Sequence, residues 1–152
     1  MTPTRRAFLG FVAVPPILAF SGSAALAAEP ETFAIDGIAI RGIDPVGYFQ
    51  QGKPVPGIAA NSLNYKGAEW RFASAANRDA FEADPEKYGA QFGGYCAYAA
   101  SKGYLAPTVP EAWTVYENRL YLNANLRARE LWREDIPGNI ALGEANWPGI
   151  LG

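Results

Sequence analysis

Residues 70–104 read W-R-F-A-S-A-A-N-R-D-A-F-E-A-D-P-E-K-Y-G-A-Q-F-G-G-Y-C-A-Y-A-A-S-K-G-Y, from Trp70 to Tyr104. Trp70 and Phe72 alternate with Glu69 and Arg71, the period-2 pattern of a half-buried strand. Ser74 is placed to cap a helix, because its hydroxyl can accept from a first-turn amide that has no partner in the helix. That helix is predicted to run to about Ala83, with Ala76, Ala80 and Phe81 on one side. Asp84 then caps a further turn with Pro85 at its first position, where the missing N–H costs nothing. Tyr88 falls back on the same side. Gly93-Gly94 leads into the single cysteine, Cys96, and a short helix from Tyr95 to Ser101 closed by Gly103.

Working outward, Phe33 and Ile35 alternate before Asp36-Gly37, and Ile38 and Ile40 after it. Asp-Gly between alternating runs predicts a hairpin, since both residues tolerate positive φ. Asp44-Pro45-Val46-Gly47-Tyr48 repeats the cap-proline-tyrosine chemistry of residues 84–88. Residues 50–61 are expected to be a loop by their Gly and Pro content. A second hairpin pairs Leu63 and Tyr65 with Trp70 and Phe72 around Lys66-Gly67. After a Pro-containing loop at 106–110, Trp113–Tyr116 and Leu120–Leu122 form a third, around Glu117-Asn118-Arg119. Asn125 is placed to cap a helix to about Glu134, with Ala128, Leu131 and Trp132 inward and Arg127, Arg129, Glu130 and Arg133 outward. A last helix runs from Pro137 to about Ala145. The fold expected is α+β: a small antiparallel sheet built from hairpins, with several short helices packed on it.

The pieces Trp70–Ser74, Asn77–Phe81, Asp84–Tyr88 and Gly93–Tyr98 resemble the YHS-domain family, and more closely its exported branch of small bacterial proteins. Gly42–Phe49, Leu120–Asn123, Asp135–Ile140 and Asn146–Pro148 extend the likeness to nearly everything after residue 33. The resemblance implies a binding or accessory module rather than a given reaction. It also raises metal, because YHS domains elsewhere occur beside copper-transport proteins and oxygenases and are suspected of holding metal through paired cysteines.

Composition limits the chemistry. The chain has no histidine, one cysteine, and one methionine, Met1. Histidine-based acid–base catalysis and a Cys-His nucleophile are therefore closed. Copper(I) and zinc want several sulfur or imidazole donors, and one thiolate is a poor set. No resident cofactor is expected; the alternative is copper or zinc held by Cys96 at a dimer or partner interface. Cys96 itself admits three readings. It is a buried small side chain among alanines, a reactive or ligating thiol favoured by the helix dipole and by Lys102 folding back, or half of an intermolecular disulfide. Asp44 and Asp84 read as helix caps or as a carboxylate pair. Tyr48, Tyr88, Tyr95, Tyr98 and Tyr104 read as core and rim residues or, with Trp113, as the lining of a pocket. The candidate ligand site is a cleft between the 44–49 turn and the 95–98 segment, with Asp44, Tyr48, Tyr95, Cys96, Tyr98 and Lys102.

Thr4-Arg5-Arg6-Ala7-Phe8-Leu9 has the form of a twin-arginine export signal, and Ala25-Leu26-Ala27 supplies the small residues a signal peptidase reads. Residues 1–27 are thus read as a signal handled by the twin-arginine machinery, and residues 28–152 as one periplasmic domain. Adjacent Pro15 and Pro16 make the segment a poor membrane anchor, so no mature span is expected. Losing Arg5 and Arg6 takes the chain from 13 basic and 15 acidic residues to 11 against 15. No Lys/Arg cluster remains, so nucleic acid is not an expected partner; a protein or a small molecule is. N-terminal sequencing of the exported protein is expected to begin at Ala28, and a start at Met1 or Thr2 would refute cleavage.

Overall fold

The computed structural model describes residues 13–17 and 27–152. The arginine pair and Ala25-Leu26 of the expected export signal lie outside the described residues. Among those described, no helix is long and apolar enough to cross a membrane.

The chain opens with β1 (Ala34–Ile35) and β2 (Ile38–Ala39), joined through Asp36 and Gly37 at φ of 52° and 79°. After a 3-10 turn at Ile40–Gly42 comes α1 (Pro45–Gln51), then the hairpin of β3 (Ile58–Tyr65) and β4 (Ala68–Phe72). Next are α2 (Ala75–Ala83), α3 (Pro85–Tyr88), a 3-10 segment at Gln91–Gly94 and α4 (Ala97–Lys102). The hairpin of β5 (Trp113–Tyr116) and β6 (Arg119–Leu122) precedes α5 (Leu126–Arg133), α6 (Ile136–Asn146) and a final turn at Gly149–Leu151.

The fold is α+β, and all three expected hairpins form. Their assembly differs from a single antiparallel sheet. One sheet has the order β1-β2-β4-β3, and β5-β6 stands apart as a second. Within the first, β2 runs parallel to β4 through Ile38 opposite Glu69. A connection containing α1 and β3 brings the chain back in its original direction, which a tight turn cannot do. The expected loop at 50–61 is also shorter, since β3 begins at Ile58 and reaches its regular register at Ser62 across a bulge. The third turn is tighter too: Glu117 and Asn118 take left-handed φ of 47° and 66°, and Arg119 already belongs to β6.

The expected caps form by hydrogen bonds that local sequence can supply. Ser74 Oγ accepts from Asn77 N–H at 3.1 Å and Asn125 Oδ1 from Ala128 N–H at 2.8 Å. On α2, however, Ala76 is exposed and Asn77 takes its inward place. The reason is Asp44. This fully enclosed carboxylate accepts from Val46 N–H at 2.9 Å with Oδ1, and from Ala73 N–H at 2.9 Å and Asn77 Nδ2 at 2.7 Å with Oδ2. A buried charge is tolerable only when donors replace its water.

Two apolar clusters result, and β6 divides them. Leu120 and Leu122 face the larger one, with Trp70, Phe72 and Phe81, while Tyr121 points the other way onto Phe92 and Trp132. The Phe81 ring lies 5.3 Å from Trp70 and 5.0 Å from Phe72, closing α2 over the sheet. Removing the Asp44 tie should be costly. In urea unfolding, Asp44→Ala is expected to lose about 3 kcal/mol or more and Asp44→Asn about 2 kcal/mol, from unpaired donors and a lost cap. Losses under about 0.5 kcal/mol in both would refute the role assigned to this carboxylate.

Candidate functional site

Cys96 sits at the end of a constrained approach. Gly93 and Gly94 have φ of 64° and 87°, and a Cβ on Gly93 would strike the Glu31 carbonyl. Helix α4 begins two residues later than expected, at Ala97, so Cys96 is its N-cap rather than a residue of its first turn. Its Sγ accepts from Ala99 N–H at 3.4 Å and from Ala124 N–H at 3.2 Å, and the thiol donates to Asn123 Oδ1 at 3.4 Å. Asn123 Oδ1 also accepts from Tyr98 N–H at 2.9 Å. Cys96 is 2% exposed and Asn123 0%. The sulfur is thus enclosed and tied to both α4 and the end of β6. In the sequence Asn123 belonged to the Leu120–Asn123 likeness, with nothing to mark it as a partner of Cys96.

The other five candidates lie in different surroundings. Lys102 is at the far end of α4, about 9 Å along the helix from Cys96, and its ammonium lies 5.2 Å from the Tyr98 ring. It does not fold back to the sulfur. Asp44 is the enclosed tie described above. Tyr48 donates to the Pro110 carbonyl at 2.8 Å with its ring against Trp113, and burial, then Glu111, raises its pKa. Tyr95 donates to the Pro30 carbonyl at 2.8 Å, with its pKa raised by burial and then by Glu29. Tyr98 is half-buried. Asp84 is exposed and caps α3 through Lys87 N–H, sharing no hydrogen-bond partner with Asp44.

Of the hollows in the described surface, three are well formed, and of the six candidates only Tyr95 lines one of these three. None of these three joins the 44–49 turn to the 95–98 segment. The most enclosed, about 290 Å³, lies between the Lys66 turn, α3 with the 3-10 segment, the start of β6, and α6. Trp70 and Phe92 form buried parts of its wall. Lys66 pairs with Glu31 at 3.5 Å across two exposed side chains. Arg119 donates to Gln91 Oε1 at 3.3 Å. Among the described residues, Arg119, Glu86 and Glu144 enter no ion pair. Tyr121 registers two of these charges: burial raises its pKa, Arg119 lowers it and Glu144 raises it. The sequence did not single out this hollow, because its polar residues, from Glu31 to Glu144, come from distant parts of the chain that only folding brings together.

Among the described residues, no group of three or more His, Cys, Asp or Glu side chains is placed to hold a metal ion. Residues 46–91 match the YHS domain family, from the first turn of α1 through Gln91, in agreement with the likeness read in the sequence. No curated protein and no solved structure matches the chain. The matched stretch supplies Lys66, Glu86 and Gln91 to the hollow, while Arg119 and Glu144 come from beyond it.

The enclosure of Cys96 has a direct chemical readout. An aromatic disulfide reagent is expected to leave the native thiol unmodified and to label one thiol per chain in denaturant. Rapid labelling of the native protein would show that the sulfur is open to solvent.

Proposed function

We propose that the chain is an exported, non-catalytic YHS-domain module that binds a small ligand bearing both charges in the 290 Å³ hollow. The observation that carries this reading is that the Arg119 guanidinium shares one hollow with the carboxylates of Glu86 and Glu144, and none of the three enters an ion pair among the described residues. A ligand with an ammonium and a carboxylate can meet both signs at once, and the apolar wall behind them limits competition from water. The YHS match supports a family role, and the absence of histidine favours recognition over turnover.

Export is part of the same proposal. It rests on the arginine pair and the small residues before Ala28, and the contacts just after the proposed cut are compatible with it. Glu29 N–H donates to the Leu151 carbonyl at 2.7 Å, Tyr95 to the Pro30 carbonyl, and Thr32 Oγ1 to the Lys66 carbonyl at 2.9 Å. Cleavage before Ala28 would leave all three intact. The metal alternative needs a sulfur that two chains, or a chain and its partner, can share at their surfaces. A 2% exposed Cys96 favours the ligand-binding reading over it.

The free L-amino acids serve as probes in amide NMR titrations of the purified protein. Saturable shifts are expected at Lys66, Gly89 to Gly93 and Arg119, with affinity falling at least tenfold in Arg119→Gln, a substitution of an exposed side chain. Absence of shifts across the panel, or shifts that Arg119→Gln leaves unchanged, would refute the assignment.

A further inference from the structure

Four buried polar side-chain atoms have no hydrogen-bond partner among the described residues: Thr114 Oγ1, Asn123 Nδ2, Arg129 Nε and Trp132 Nε1. All belong to β5, the exit of β6, or α5. Thr114 lies opposite Tyr121 in the hairpin, and Trp132 packs against Tyr121 with ring centres 4.9 Å apart and planes tilted by 37°. Three of the four atoms can only donate. The layer between this hairpin and α5 is therefore rich in donors and short of acceptors. Native proteins leave few such groups unmet.

Arg129 is where that layer reaches the surface. The sequence pattern placed it outward with the other charged residues of α5, but it is half-buried, with its guanidinium 5.9 Å from the centre of the Trp113 ring. Arg133 follows one turn later on the same helix. Arg127 pairs with Glu130 at 3.2 Å, yet neither Arg129 nor Arg133 enters an ion pair among the described residues. Like charges four residues apart on a helix oppose its formation. Burial, and then Arg133, lower the Arg129 pKa, as expected for a cation left without a counter-charge. An open hollow of about 400 Å³ lies against Leu126, Arg129, Glu130, Arg133 and Glu134.

We propose that Arg129 and Arg133 form a binding site for one small free oxyanion of the phosphate or sulfate class, with Trp113 holding the first guanidinium in place. Planar guanidinium forks match such an anion through paired N–H donors. The anion would give the two side chains a shared counter-charge. Glu130, paired with Arg127, and Glu134 line the same hollow. Their carboxylates would repel an extended anionic surface more than one compact ion held between the guanidinium groups, which favours that ion over a membrane or nucleic acid. This hollow shares no residue with the one assigned to the zwitterionic ligand, so either proposal can fail without the other.

Calorimetric titration of the purified protein with inorganic phosphate, in a buffer free of competing oxyanions, tests the site. One phosphate per chain is expected, with affinity reduced at least tenfold in Arg133→Gln and in Arg129→Lys, which keeps charge but loses the fork. Arg133 is exposed, so Arg133→Gln should unfold at the wild-type temperature. Arg127→Gln removes the same charge from the same helix and should change affinity less than twofold. Equal weakening by Arg127→Gln and Arg133→Gln would reduce the effect to diffuse charge and overturn the site. So would the absence of binding, or binding to phosphatidylglycerol vesicles without binding to phosphate.

Discussion

The Asp44 carboxylate connects the start of α1, the end of β4 and the first turn of α2 through three hydrogen bonds. Val46 lies beside the carboxylate in sequence, whereas Ala73 and Asn77 belong to the distant β4–α2 junction, so the carboxylate fixes how these elements meet. With α2 held at Asn77, Phe81 is carried against Trp70 and Phe72, and the chain leaves α2 where Asp84 can start α3. The wall of the 290 Å³ hollow formed by α3 follows from that placement. A hydrophobic side chain at position 44 could fill the space but could not orient the three donors.

The β6 strand has a comparable role in the second half. Its alternation sends Leu120 and Leu122 into one cluster and Tyr121 into the other, and its exit places Asn123 on Cys96. The thiol closes the first turn of α4 where a hydroxyl or carboxylate more often does, and Ala124 N–H ties the same sulfur to the chain leaving β6. In this arrangement the one cysteine joins two elements, and the reactive surface thiol that its sequence context also allowed is not what the fold presents. The charged groups on which the two proposed sites rest, Lys66, Arg119 and the Arg129–Arg133 pair, stand at turns and on helix faces.

Local chemistry was legible in the residues themselves. Asp36-Gly37 and Lys66-Gly67 marked tight turns, and Ser74, Asp84 and Asn125 marked helix starts, because each acts on backbone within a few positions of itself. The period-2 runs at 68–72 and 113–122 marked strands for the same reason. These short-range signals were enough for the α+β class and the order of most elements.

Tertiary structure decided what depends on distant partners. Ala76 and Asn77 are adjacent, and helical periodicity favoured the apolar one as inward; Asp44, 33 residues from Asn77, reversed the choice. Arg129 had the look of a solvated charge until Trp113 was folded beneath it. The parallel pairing of β2 with β4, the separation of the third hairpin, and the meeting of Lys66, Glu86, Arg119 and Glu144 have the same origin. Turn and cap preferences come from atoms a few bonds apart, whereas these arrangements are fixed by packing between segments whose separation along the chain carries no local pattern.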